Sequence, residues 1–173
     1  MGPSQSGSSR ASGAAPVIEI KTILAPTDFS AHSEQAVRYA CGLAARLGSE
    51  LHLLHILSEI LPAGPDPILM PVMPPEYYRE NEERAQETLG RLLEPAWGAP
   101  RAVVTAVRWG SPVEAIVAYA VDHHVDLIVI ATHGRAGLSH VLLGSVAERI
   151  VREAPCPVLT LRDRSRAPKS SSP

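Results

Sequence analysis

The chain of 173 residues is 45% apolar and 20% charged, which suffices for one buried core and is short for two. Its formal net charge of −2, with no Lys/Arg cluster, argues against a surface built to neutralise the phosphates of a nucleic acid. No apolar stretch approaches the ~20 residues of a membrane span, and residues 1–16 lack the basic start and apolar centre of a secretory signal, so a cytoplasmic location is expected.

In chain order, residues 1–16 are largely Ser, Gly, Ala and Pro and read as a tail; a domain follows over 17–162, and 163–173 form a second polar tail. Within the domain the apolar period alternates between that of a strand and that of a helix. Strands are expected at 21–26, 51–57, 102–108, 126–131 and 157–162, and helices at 31–47, 76–94, 112–123 and 144–154. The first helix places Ala36, Ala40, Leu43, Ala44 and Leu47 on one face, with Cys41 as an inert core thiol and Gly48 as a left-handed stop. Between the second strand and second helix, Leu61 to Pro75 hold six prolines without a clear period, which suits either a lid or a plain excursion. Ser111-Pro112-Val113-Glu114 has the form of an N-cap, a proline at the first helical position and a capping-box glutamate. Strands alternating with helices imply a parallel sheet covered on both faces.

The strongest functional signal follows the apolar run Asp126–Ala131, where Gly134 and the pair Gly144-Ser145 stand nine residues apart. Glycines after a buried strand let the main chain approach an anion, and the unpaired amides of a following helix supply donors. The stretch Ala131-Thr132-His133-Gly134, nine residues, Gly144-Ser145-Val146 resembles the nucleotide-binding motif of the universal stress protein family, with Ala131 in place of the first motif glycine. Ile23 to Ser30 is similar to that family's first strand and turn. Leu53-Leu54-His55-Ile56 is similar to its second strand, and Pro155-Cys156-Pro157-Val158-Leu159 to the entry into its last.

The resemblance implies a single-domain, Rossmann-like fold of the adenine nucleotide alpha hydrolase-like kind. Its open parallel sheet has five strands in the order 3-2-1-4-5. It further implies ATP, with Mg²⁺, in the crevice between strands 1 and 4. The residues it assigns there are Pro26, Thr27, Asp28, Ile56, Ala131, His133, Gly134, Gly144, Ser145 and Val146, and it implies a homodimer joined through the last strand. The function implied is a nucleotide-dependent regulatory module of the stress response; the competing reading is a dimeric interaction protein of the same fold that binds no nucleotide, Ala131 marking a degraded site.

Each of these residues also has an ordinary structural reading. Gly134 and Gly144 could serve turns that need backbone angles closed to other residues. Ser145-Val-Ala-Glu148 is itself a capping-box pattern, and Asp28 is placed to be a turn acceptor near Ser30. The seven histidines show no HxxxH spacing or Cys/His cluster, so a zinc site is not expected. No nucleophile with an adjacent base and orienting carboxylate is readable, so an efficient catalyst is not expected; slow hydrolysis or phosphate transfer to Ser145 or Thr132 is the most the hydroxyls offer. A phosphate loop after the first strand would need glycines that Pro26–Ser30 lack.

Overall fold

The computed structural model describes residues 18–58, 73–132 and 144–162; both expected tails, most of the Pro-rich connection, His133 and Gly134 lie outside them. The elements run β1 (Thr22–Thr27), α1 (Ala31–Leu47), β2 (Glu50–Leu57), α2 (Pro75–Arg91), a 3-10 turn (Pro95–Trp97), β3 (Ala102–Trp109), α3 (Pro112–Asp122), β4 (Leu127–Ala131), α4 (Ser145–Glu153) and β5 (Val158–Leu161). The five strands form one parallel sheet in the order β3-β2-β1-β4-β5.

Alternation along each strand divides the core between two faces. Ile23, Ala25, Leu51, Leu53, Leu127 and Val129 pack with Val37, Ala40, Cys41 and Ala44 of α1 and Leu89 of α2. Leu24, Leu54, Ile128 and Ile130 point the other way, to Val113, Ile116 and Ala120 of α3 and Ala147 and Ile150 of α4. Helices therefore cover both faces, and near-continuous apolar runs in the central strands follow from burial on two sides. Histidine phases obey the same rule: His52 meets Tyr119 of α3, whereas His55 stacks on Phe29 on the α1 face.

Local chemistry sets most helix ends. Ser30 caps α1, its Oγ accepting from Ser33 N at 3.2 Å, and Gly48 closes it in the left-handed conformation at φ 69°. Leu47, expected on the apolar face, is instead 49% exposed at the end of the last turn. The second helix stops at Arg91 rather than 94 because Glu94 precedes a proline and is held extended at φ −99°, ψ 138°. The 3-10 turn that follows docks on α1 through Gly98, whose φ of 116° favours glycine and whose carbonyl accepts from Cys41 Sγ.

Two capping expectations are corrected. Ser111 is the N-cap of α3 with Pro112 at its first position, yet its side chain makes no cap bond. The last helix is capped by Gly144, not Ser145, which makes Ser145 its first residue.

Candidate functional site

Because α1 leaves β1 toward one face of the sheet and α4 leaves β4 toward the other, a crevice opens where these neighbouring strands end. Proline sharpens the opening. Thr22 O accepts from Asp126 N, so alternate residues of β1 turn their backbone groups toward β4, and at Pro26 that phase meets a nitrogen with no hydrogen. Register between β1 and β4 accordingly covers only Ile23–Leu127 and Leu24–Ile128, against six pairs between β1 and β2.

One wall is the end of β1. Pro26 and Thr27 are buried, and the strand runs one residue past the expected 26 to take in Thr27. Thr27 Oγ1 lies 3.0 Å from Ser33 Oγ and accepts from Phe29 N at 3.1 Å, while its carbonyl accepts from His55 Nδ1 at 2.7 Å. Asp28 is half-buried, and its Oδ1 accepts from both Ser30 N (3.0 Å) and Ser30 Oγ (2.6 Å). The turn-acceptor role expected for Asp28 is therefore present. Phe29 holds φ at 61°, uncommon for a bulky residue, and its ring stacks on His55 with centroids 4.2 Å apart. Ser33, Phe29 and His55 thus fix this wall and were not among the expected site residues; the Ser30-x-x-Ser33 spacing was the visible signal for the first of them.

The other wall joins the end of β4 to the start of α4. Gly144 N donates to Thr132 O at 2.7 Å, which brings the helix back to the strand it left. Gly144 has φ −67° and ψ 151°, angles open to every residue, so backbone freedom does not account for a glycine here. As a glycine it is the N-cap residue without a side-chain cap bond, and the first intrahelical bond is Glu148 N to Gly144 O at 2.9 Å. Among the described residues, the amides of Ser145, Val146 and Ala147 have no acceptor, and the positive end of the helix dipole lies with them.

Ser145 is exposed and Val146 packs its side chain against the α3/α4 core, so the latter offers its amide rather than its side chain. Glu148 is exposed and lies 3.7 Å from Arg152 one turn along, so its charge does not close the helix end. Ala131 ends β4, paired with Leu161 and 9% exposed. Its methyl shares the phase of Leu127 and Val129 on the α1 face, opposite to the face on which α4 packs. Ile56 lies within β2, partly buried against the α3/α4 core. Burial raises the thiol pKa of Cys41, and burial followed by the charge of Asp126 raises that of Cys156, so both hold less thiolate than a free cysteine at the same pH.

The family model of the universal stress protein family matches residues 19–162. The chain belongs to that family. A universal stress protein of Methanocaldococcus jannaschii, MJ0531, is 33% identical over 146 residues, covering 82% of each chain. Among solved universal stress protein structures, UspA from Lactobacillus plantarum superposes with a TM-score of 0.69 at 26% identity, over 83% of this chain and 99% of that one. A universal stress protein in complex with cAMP gives 0.56 at 25% identity, over 83% and 97%. The family's Rossmann-like sheet is the one found here. Among the described residues no helix is long and apolar enough to cross a membrane.

Proposed function

We propose that this universal stress protein binds ATP with Mg²⁺ in the crevice between β1 and β4, and that occupancy of the crevice regulates its assembly or a partner in a cytoplasmic stress response. The observation that carries this reading is Gly144, a glycine with ordinary backbone angles at the head of a helix whose first three amides have no acceptor among the described residues. Anionic oxygens satisfy such amides, and the absence of a side chain leaves room for them. In this reading Ser145, Val146 and Ala147 hold phosphate oxygens by their amides. Ser145 adds its hydroxyl, and His133 and Gly134 complete the loop.

Pro26, Thr27 and Asp28 line the adenosine side, Ile56 offers main chain to the base, and Ala131 floors the crevice. When bound, Mg²⁺ offsets phosphate charge that these neutral donors leave uncompensated. The cAMP complex of a relative at 25% identity supports an adenine nucleotide as the ligand class. The open edge of β5 supports a homodimer joined through that strand.

Calorimetric titration with ATP and Mg²⁺ tests the reading. Saturable, stoichiometric binding that Gly144→Val removes is the expected result, and mass spectrometry of the denatured protein reports any adenine nucleotide carried through purification. Ala131, standing where the motif has its first glycine, favours the second reading of a dimeric interaction protein without nucleotide. Absence of saturable binding in the intact chain selects it.

A further inference from the structure

A cavity of about 940 Å³ lies away from the crevice, wrapped around the outer edge of the sheet at β3. Its walls come from both faces: Glu82, Glu83 and Glu87 of α2 on one side, Tyr119 of α3 and His123 at its C-terminal cap on the other. The strand between them is eight residues long, and from Ala102 to Trp109 it carries one charge, Arg108. Long edges with so little charge invite another strand.

Two carbonyls of this edge already take side-chain donors: Thr105 O from Gln86 Nε2 at 3.4 Å, and Val107 O from Arg108 at 2.9 Å. Those donors stand where the amides of an added strand would lie. The edge also gathers four of the chain's seven aromatic residues, since Tyr77 and Tyr78 pack on Trp109 and Tyr119 lines the cavity. Aromatic side chains of this kind anchor protein interfaces.

We propose that the β3 edge docks an extended segment of another protein, with Lys or Arg at alternate positions facing α2 and apolar residues between them facing α3. Side chains of an added strand point alternately to the two faces, so each set meets one wall. On the α2 side, Glu83 and Glu87 are paired, among the described residues, only with Arg79 and Arg91 of their own helix, at 3.7 and 3.6 Å and well exposed, pairs that exchange readily for an incoming cation. Glu82 is held toward the cavity by Trp109 Nε1 at 2.7 Å. On the α3 side the Arg108 guanidinium already lies 5.6 Å from the centre of the Tyr119 ring, so a second cation would meet like charge and an apolar side chain fits better.

The probe is an end-blocked peptide of alternating Lys and Val, matched to the eight residues of β3, titrated into the full chain. Controls are a Glu/Val counterpart and a peptide with its four lysines in one block. One-to-one binding of the alternating peptide, with a change in Trp109 fluorescence, is expected. Affinity should fall about tenfold or more in the double variant Glu83→Lys/Glu87→Lys, which unfolds like the parent and binds ATP as the parent does. Carbodiimide should join a peptide lysine to Glu83 or Glu87.

Equal affinity for all three peptides, or binding undiminished in the double variant, overturns the proposal. So does a concentration-dependent dimer abolished by the double variant, which gives the edge to a second copy. A zero-length link from Lys169 to Glu83 or Glu87 within the free monomer also overturns it, giving the edge to the chain's own segment.

Discussion

Replacing Gly144 with Asp separates the two roles this position can have, because it moves stability and binding in opposite directions. The backbone at 144, φ −67° and ψ 151°, is that of an ordinary N-cap, and Asp enters it without strain. Its carboxylate accepts from the amide of Val146 or Ala147 and complements the helix dipole. The cap contributes a few tenths of a kcal/mol over glycine and the dipole about 0.3–1, or about 0.5–1.3 kcal/mol in all. For a domain of this size that raises Tm by about 1–5 °C.

The same carboxylate occupies a donor that phosphate would use and adds a like charge beside it. Loss of one hydrogen bond to a charged acceptor costs about 1.5–3 kcal/mol, which weakens ATP binding about 10- to 150-fold before repulsion is counted. Thermal unfolding without nucleotide and calorimetric titration with ATP and Mg²⁺ read the two effects separately. A variant that binds ATP within about threefold of the parent would refute the role given to these amides. Lower stability would refute the capping geometry.

Ala131→Gly tests the strand end: since the methyl lies on the α1 face, affinity for ATP should change by less than about threefold, and a gain of about tenfold or more would show that the methyl blocks the site. Thr27→Val removes the acceptor of Phe29 N and the partner of Ser33 Oγ, and should lower the unfolding free energy in urea by about 1–3 kcal/mol with an unchanged m-value. Both thiols have pKa values raised by burial, so their thiolate fraction at a given pH is below that of a free cysteine. Alkylation of the native chain should rise with pH at a higher midpoint than for N-acetylcysteine, and a midpoint at or below it would contradict the burial of Cys41 and Cys156.

Periodicity carried the sheet and its four covering helices into view because each strand buries alternate residues on two faces, and the opposite phases of His52 and His55 were legible for the same reason. What stayed hidden depends on partners remote in sequence. Ser145-Val-Ala-Glu148 has the form of a capping box, yet the bond from Gly144 N to Thr132 O sets the first turn so that Gly144 becomes the cap. His55 reaches from β2 to the carbonyl of Thr27 on the neighbouring β1, 28 residues away in sequence, and no local pattern announces it. The second helix ends at Arg91, three residues short of the expected 94, because the proline preference at Glu94 acts before the apolar period has ended, and the 3-10 turn at Pro95–Trp97 follows.

Gly144 and Ala131 bear on the proposed nucleotide site from opposite directions, and their geometry weighs them unequally. A glycine in the left-handed region would explain itself by its own backbone, as Gly48 at φ 69° and Gly98 at φ 116° do. Gly144 does not, and in the proposed reading its lack of a side chain leaves room for an anion at the head of the helix. Ala131 departs from the motif by one methyl, but strand alternation turns that methyl to the α1 face, while the unpaired amides belong to a helix packed on the other. The departure therefore touches the floor of the crevice and leaves the donors at its rim intact. Recognition built on main-chain amides survives such a change, because the donors come from where the helix begins and not from which side chains stand near it.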